Sequence, residues 1–123
     1  MTVQQYDAII IGAGQAGTPL STALAQAGMH TALVERVHVG GTCINEGCTP
    51  TKTMVASGRV AYLARRAADY GVHTGALSID LKRVRQRKRD IVDSFRNSSQ
   101  AQIQKTPGVD LHTGRFICAL SLD

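Results

Sequence analysis

The sequence predicts an α/β fold in which a parallel sheet is flanked by helices. Two patterns support this prediction. Between Tyr6 and Glu35, two short apolar segments enclose a glycine-rich turn and an alanine- and leucine-rich segment, in the order strand, turn, helix, strand. Beyond position 80, apolar residues recur at helical spacing over a further long segment. Strands that alternate with helical segments are typical of a parallel sheet.

The length of 123 residues allows one domain with a single core. We interpret the chain as three segments: a strand–helix–strand unit at 6–35, a cysteine-containing loop and helix at 40–69, and a basic amphipathic helix at about 80–104. A weaker apolar pattern from Val109 to Leu120 suggests a third strand. So few strands make an incomplete sheet, and we expect an open edge and an uncovered face.

The first segment contains a strand, a turn and a helix in succession. An apolar run from Ala8 to Ile11 ends in "GAGQAG", residues 12–17, and the helical segment that follows ends at Gly28, a residue type favoured just after a helix. A second apolar strand then ends in the acidic residue Glu35. Strand, glycine turn, helix, strand and acid together form the full context of a dinucleotide-binding fingerprint.

Each glycine of the fingerprint has a separate role in this interpretation. Gly12 permits the tight turn, Gly14 lets the backbone approach a pyrophosphate, and Gly17 lets the helix pack closely on the strand. The phosphates then bind free N–H groups at the positive end of the helix dipole. Glu35 is placed to accept hydrogen bonds from a ribose hydroxyl. The same fingerprint serves NAD, NADP and FAD, so these residues alone leave the nucleotide open.

Two of the three cysteines, Cys43 and Cys48, lie close together in "GGTCINEGCTPTK", residues 40–52. A ferredoxin-like cluster would need a third cysteine at position 51, which is threonine. A zinc site needs four ligands, but Cys118 and the four histidines are scattered singly. We therefore predict no metal site. A redox dithiol and two unrelated buried cysteines remain as alternatives, and we interpret Cys118 as a small hydrophobic residue.

A structural disulfide is a further alternative, and it depends on the compartment. The chain contains no run of about eighteen apolar residues, so we predict no transmembrane helix and no membrane partner. The N-terminus has no basic region ahead of its short apolar run, unlike a secretory signal peptide. We therefore expect a cytoplasmic location, where a close cysteine pair is more often catalytic or metal-binding than a structural bridge.

The residues after the cysteine pair predict a helix. Pro50 has the residue type favoured in a first helical turn, and apolar residues at helical spacing follow it. Both cysteines then lie at or just before the N-terminus of a helix, where the helix dipole favours a thiolate. We expect a lowered thiol pKa, with the carboxylate of Glu46 opposing it.

Basic charge is concentrated in one segment. The formal net charge is +5, and six of the fourteen lysines and arginines lie in "KRVRQRKR", residues 82–89. Asp80 is placed to cap a helix here, and no aromatic residues are interleaved for base stacking. We interpret the segment as the solvated face of a helix and expect no nucleic-acid partner. A basic interaction module acting through Lys82 to Arg89 is the alternative.

The cysteine segment, after a glycine fingerprint and an acidic strand end, resembles the active-site segment of the flavin-dependent pyridine nucleotide–disulfide oxidoreductases. That family includes dihydrolipoamide dehydrogenase, glutathione reductase and mercuric reductase. The continuing stretch "TMVASGRVAYLARRAADYGV" is most similar to mercuric-reductase-like members. The resemblance extends from about Tyr6 to about Phe116.

The resemblance implies the N-terminal part of a Rossmann-like FAD-binding domain, with the cysteine loop beside the flavin. Cys43 then corresponds to the thiol that exchanges with substrate, and Cys48 to the thiolate in contact with the flavin. Thr42 and Lys52 match family positions that contact FAD. NAD(P)H is the implied electron donor. The implied acceptor is a small disulfide, such as lipoamide or a glutathione-type disulfide, or the metal ion Hg(II).

Family members continue through a nicotinamide domain and an interface domain, which supplies a catalytic His–Glu pair across a homodimer. The present sequence contains no counterpart of these domains. We therefore expect this chain to be the N-terminal segment of such an enzyme and to be inactive alone. The alternative is an inactive, truncated flavoprotein fragment with only a partial binding fold.

Overall fold

The computed structural model describes residues 3–115, and all structural statements concern that range. It confirms the predicted α/β class, with a parallel sheet and flanking helices. The end of the third predicted strand and Cys118 lie outside the described residues. The elements are β1 (Ala8–Ile11), α1 (Gly17–Gln26), β2 (Thr31–Glu35), α2 (Gly41–Asn45), α3 (Cys48–Arg65), a short 3₁₀ helix (Ala67–Tyr70), α4 (Leu81–Gln104) and β3 (Val109–Thr113).

The three described strands are parallel, in the order β1-β2-β3. Ile10 lies opposite Leu33, and Leu33 lies opposite Leu111, so β2 is the central strand of this part of the sheet. All three strands end at the same edge because they run in the same direction. This carboxyl edge therefore carries both the glycine turn after β1 and Glu35 at the end of β2.

The core lies between the sheet, α1 and the C-terminal half of α4. Leu33 and Ile103 are fully buried there, together with Ala13, Val39 and Val109. Burial of Ile103 against the sheet holds α4 in place through the hydrophobic effect. Ala13 and Val39 belong to the two loops of the carboxyl edge, so the core extends directly beneath them.

Strand β1 forms an open lateral edge of the sheet, as the small number of strands predicts. Within residues 3–115, β1 pairs only with β2. The side chains of Ile9 and Ile11 are 43% and 82% exposed. Unpaired strand edges with exposed apolar side chains favour association with other chains.

Helices α3 and α4 contact each other, and hydrogen bonds contribute to this contact. The Arg87 guanidinium donates hydrogen bonds from Nη1 to the Thr53 carbonyl oxygen (3.2 Å) and to Ser57 Oγ (3.3 Å). At the start of α4, Asp80 Oδ1 accepts a hydrogen bond from the Arg83 N–H (3.0 Å), which confirms the predicted cap. No helix of the described chain combines the length and apolar character that crossing a membrane requires.

Candidate active site

A tight turn joins β1 to α1 at the carboxyl edge of the sheet. Gly12 has φ of +99°, a conformation that side chains disfavour, and its N–H donates to the Val34 carbonyl oxygen (2.7 Å). Gly17 begins α1 directly against this turn. A Cβ atom added at Gly17 would overlap with the Gly12 carbonyl oxygen and lie 3.3 Å from Ile10 Cγ2. The fold itself therefore requires glycine at positions 12 and 17.

Gly14 differs from its two neighbours in the fingerprint. Its φ is not positive, and a Cβ atom added there would meet only the Gly41 Cα among the described atoms, at 3.9 Å. That distance is an ordinary van der Waals contact, so the fold has room for a methyl group at Gly14. The outer side of the turn is consequently open at this residue.

The N-terminus of α1 faces the same turn. Ala16 is the N-cap residue, no side chain caps the helix, and its first turn contains no acidic residue. No side chain of the N-cap or the first turn therefore offsets the positive end of the helix dipole.

Glu35 links the two loops of the carboxyl edge. Its Oε2 accepts a hydrogen bond from the Ala13 N–H (2.9 Å), and its Oε1 accepts one from the Val37 N–H (2.9 Å). Partial burial raises the pKa of Glu35, but backbone hydrogen bonds, chiefly those from Val37 and Ala13, outweigh burial and lower it overall. The backbone N–H groups of His38 and Arg36 also act on this carboxylate, so the backbone around Glu35 holds it beside the glycine turn.

The lowered pKa of Glu35 leads to a pH-dependent prediction. The ionised carboxylate stabilises the folded state, so its contribution is present above the unfolded-state pKa and is lost as pH falls through the lower folded-state pKa. Glu35→Gln retains one acceptor oxygen but presents an NH₂ group to one backbone donor. We expect urea denaturation to show a loss of about 1–2 kcal/mol at pH 7.

Measured in steps from pH 7 down to about pH 3, the difference between the two proteins is expected to shrink as Glu35 becomes protonated, and to be smallest below its lowered folded-state pKa. Glu46→Gln is the matched control, because Glu46 is an exposed acid at the end of α2. An equal loss for Glu35→Gln at both pH values would contradict the role given to the Glu35 charge.

The cysteine loop is in direct contact with the glycine turn. The Gly40 N–H donates to the Ala13 carbonyl oxygen (2.7 Å), and Gln15 Nε2 donates to the Gly40 carbonyl oxygen (3.3 Å). A Cβ atom added at Gly41 would lie 2.9 Å from the Gly14 Cα, so only a glycine allows this approach. The two sequence motifs therefore form one site.

Cys43 lies within α2, and Cys48 is the first residue of α3. The chain reverses between them because the Thr42 carbonyl oxygen accepts hydrogen bonds from the N–H groups of both Glu46 (2.9 Å) and Gly47 (2.7 Å). This reversal brings Cys43 and Cys48 near each other, so that each thiol lies in the surroundings of the other. Both cysteines are free thiols, with Cys48 exposed and Cys43 half-buried.

The expectation of a lowered thiol pKa is wrong for Cys43. The hydrogen bond with the Cys48 side chain raises the pKa of Cys43, and desolvation and the charge of Cys48 raise it further. A backbone hydrogen bond from Cys48 and the charge of Lys52 lower it by less. Local sequence indicates a helix terminus, but the side chain of Cys48 has the largest effect on the pKa of Cys43.

Thr42 and Lys52 flank the pair. Thr42 lies in the first turn of α2, and Lys52 lies one turn after Cys48 in α3; both side chains are exposed. Pro50 is in the first turn of α3, as predicted. The positive charge of Lys52 acts on the Cys43 thiol, where it lowers the pKa.

Sequence reasoning missed two residues that support the cysteine loop. Asn45 Nδ2 donates to the carbonyl oxygens of Val39 (3.0 Å) and Gly41 (2.8 Å), and Asn45 Oδ1 accepts from Arg96 Nε (2.7 Å). Asn45 is a polar residue between the two cysteines that belongs to no sequence motif, and Arg96 is one of several basic residues of α4. No local signal distinguishes Arg96 from the others, because its partner is 51 residues away.

Within residues 3–115, no three histidine, cysteine, aspartate or glutamate side chains gather closely enough to hold a metal ion. The carboxyl edge brings together the two cysteines, the open glycine turn and the side chains of Glu35 and Lys52.

Comparisons with known proteins agree with this geometry. Residues 6–120 match the family described as pyridine nucleotide-disulphide oxidoreductase. The chain is 36% identical to dihydrolipoyl dehydrogenase of Bacillus subtilis, over 89% of this chain and 23% of that protein. It is 37% identical to mercuric reductase of Bacillus cereus, over 89% of this chain and 17% of that protein.

A solved structure is also similar. The HOCl-induced flavoprotein disulfide reductase RclA from Escherichia coli matches with a TM-score of 0.72 and 36% identity, over 89% of this chain and 22% of that chain. The chain thus spans about a fifth of the length of these relatives.

Proposed function

The chain belongs to the pyridine nucleotide-disulphide oxidoreductase family, and on this basis we propose that it binds FAD at the glycine turn and carries the redox-active pair Cys43 and Cys48. Family membership confirms the resemblance of the cysteine segment. The family consists of flavin-dependent oxidoreductases, and the whole reaction, from NAD(P)H to the final acceptor, belongs to the longer enzymes to which this segment is similar.

The presence of glycine at position 14, where the fold does not need it, supports FAD binding most directly. The fold needs glycine at positions 12 and 17, but it has room for a methyl group at Gly14. A ligand that approaches the backbone closely gives a physical reason for a glycine there, and a pyrophosphate is such a ligand. The uncapped N-terminus of α1 favours its negative charge, and the Glu35 carboxylate lies beside the turn, where the fingerprint places the ribose contact.

Thr42 and Lys52 fit the flavin end of the same molecule. They flank the cysteine pair, and the pair contacts the glycine turn through Gly40 and Gly41. When bound, FAD supplies two-electron transfer from NAD(P)H to the Cys43–Cys48 disulfide. The cation of Lys52 would hold negative charge that develops beside the thiols.

The pair then performs thiol–disulfide exchange. Reduction of the Cys43–Cys48 disulfide takes two electrons and two protons and gives two thiols. Cys43 Sγ, once deprotonated, attacks one sulfur of the acceptor disulfide and displaces the first thiol; Cys48 Sγ attacks Cys43 Sγ, restores the internal disulfide and displaces the second. Because its pKa is raised, Cys43 needs a proton acceptor, which the family takes from a histidine outside this segment.

The final acceptor is a small disulfide or a thiophilic metal ion. The similar proteins are named as dihydrolipoyl dehydrogenase, mercuric reductase and a flavoprotein disulfide reductase, which supports lipoamide, a glutathione-type disulfide or Hg(II) as candidates. We further propose that the complete enzyme is a cytoplasmic homodimer, in accord with the family resemblance.

Binding of ADP tests the nucleotide part of this proposal, because ADP contains the adenine, ribose and pyrophosphate that the glycine turn would hold. We expect the chain to bind ADP, measured by NMR titration, and Gly14→Ala to raise the dissociation constant at least about tenfold, or ~1.4 kcal/mol. The melting temperature of Gly14→Ala should stay close to that of the wild type, since the added methyl group has room.

Gly58→Ala in α3 is the control, because it adds the same methyl group away from the turn. A folded Gly14→Ala variant that binds ADP as well as Gly58→Ala does would overturn the proposed nucleotide site. So would a wild-type chain that shows no ADP binding at millimolar concentration.

A further inference from the structure

A side-chain network connects α4 to the loop between the two cysteines. Asn45 Nδ2 donates to the carbonyl oxygens of Val39 (3.0 Å) and Gly41 (2.8 Å), which fixes the start of α2. Asn45 Oδ1 accepts from Arg96 Nε (2.7 Å), and Arg96 Nη1 lies 3.2 Å from Asp93 Oδ1. The Arg96 guanidinium is thus held between a carboxylate on its own helix and an amide inside the loop.

The position of Asn45 makes this network relevant to the thiols. Asn45 follows Cys43 by two residues and precedes Cys48 by three, so a displacement of Asn45 moves the backbone on both sides. The Arg96 side chain is only 25% exposed, so its hydrogen bond to Asn45 is partly shielded from water. Hydrogen bonds from a charged donor at this short distance are among the stronger ones in proteins.

We propose that Arg96, acting through Asn45, is a positioning residue for the Cys43–Cys48 pair and sets how readily the pair forms its internal disulfide. This inference rests on the proposed redox role of the pair. Arg96 contacts neither sulfur. Arg96 instead restricts the loop between Cys43 and Cys48. A more tightly held loop raises the effective concentration of one thiol near the other, and this concentration favours the disulfide.

The reduction potential of the pair tests this proposal. The full chain is used with Cys118→Ser, so that only the two loop thiols take part. In the equilibrium, the dithiol and one glutathione disulfide give the internal disulfide and two glutathione molecules, which transfers two electrons and two protons. Arg96→Met is expected to lower the equilibrium constant for disulfide formation about tenfold, which raises the potential by about 30 mV.

Arg87→Met is the matched control. Arg87 also lies in α4 and also donates hydrogen bonds to a neighbouring element, but its partners, the Thr53 carbonyl oxygen and Ser57 Oγ, belong to α3 beyond the cysteine loop. Both variants are expected to lose some thermal stability. Only Arg96→Met is expected to change the reduction potential of the cysteine pair. If Arg96 only stabilised the fold, the potential would stay at the wild-type value in both variants.

A double-mutant cycle with Asn45→Ala separates the hydrogen bond from other effects of Arg96. If Arg96 acts through Asn45, the double variant is expected to show no larger change in potential than Asn45→Ala alone. Arg96→Lys, which keeps the positive charge but has a single donor nitrogen, is expected to give a potential between those of the wild type and Arg96→Met. It also provides the measurement if Arg96→Met does not fold.

The positioning role would be overturned if the Arg96 variant had the same potential as the wild type and Arg87→Met. A more stable disulfide in an Arg96 variant would also overturn it. Additive effects of Arg96→Met and Asn45→Ala would also contradict it. Failure of the proposed redox function would look different, because the wild-type chain itself would then form no internal disulfide.

Discussion

Gly17→Ala is expected to unfold most of the chain or to lower its free energy of unfolding by about 3 kcal/mol or more. Core substitutions that add atoms without room typically cost about 1–3 kcal/mol, and occasionally more. Here the added Cβ atom would overlap with the Gly12 carbonyl oxygen, which is backbone and cannot rotate away. Relief requires α1 to move away from β1, and this movement disrupts the packing beneath the glycine turn.

Gly58→Ala is the control for this substitution. Gly58 is in the interior of α3, and a Cβ atom added there would meet no described atom within 4 Å. Alanine is favoured over glycine in a helix, so this variant is expected to gain about 0.5–1 kcal/mol. Urea denaturation followed by circular dichroism measures both. A Gly17→Ala variant as stable as Gly58→Ala would contradict the close packing of α1 on the turn.

Features that depend on residues near one another in sequence could be predicted from the sequence. The strand at Ala8–Ile11 follows from its apolar run, and the end of α1 before Gly28 follows from the residue type that a positive φ favours. The cap at Asp80 and the position of Glu35 at a strand end are local in the same sense. Each of these features is fixed by backbone geometry and periodicity over a few residues.

Features that depend on tertiary contacts could not be predicted from the sequence. Nothing in the local sequence indicates that Gly41 approaches Gly14, or that Asn45 accepts a hydrogen bond from Arg96. The pKa of Cys43 was predicted in the wrong direction because the helix terminus can be read from sequence, whereas the distance to a second sulfur cannot. The sequence predicts candidate residues for the site, but not the contacts that join the glycine turn, the cysteine loop and α4.

Removal of either loop cysteine is expected to change the outcome of disulfide exchange completely. In the Cys118→Ser chain, the reduced pair should consume one molecule of an aromatic disulfide reagent and release two aromatic thiol molecules. No reagent group should remain on the chain, because the second cysteine sulfur displaces the group from the mixed disulfide. With Cys48→Ser or Cys43→Ser, the remaining thiol has no resolving partner within reach. Each variant is expected to retain one reagent group per chain, detected by mass spectrometry.

Retention of two reagent groups by the Cys118→Ser chain would contradict this prediction. Such a result would mean that the two sulfurs react independently, although they lie near each other in the reduced protein. It would favour two unrelated thiols over a redox pair.

The pairing of the cysteines in the unmodified chain tests the central claim most directly. The chain is oxidised, its remaining thiols are blocked, and the disulfide is identified by peptide mapping before and after dithiothreitol. We predict one internal disulfide between Cys43 and Cys48 that forms and is reduced reversibly, with Cys118 recovered as the blocked thiol. A disulfide that includes Cys118, or three blocked thiols after oxidation, would contradict the assignment of residues 40–52 as a redox-active site.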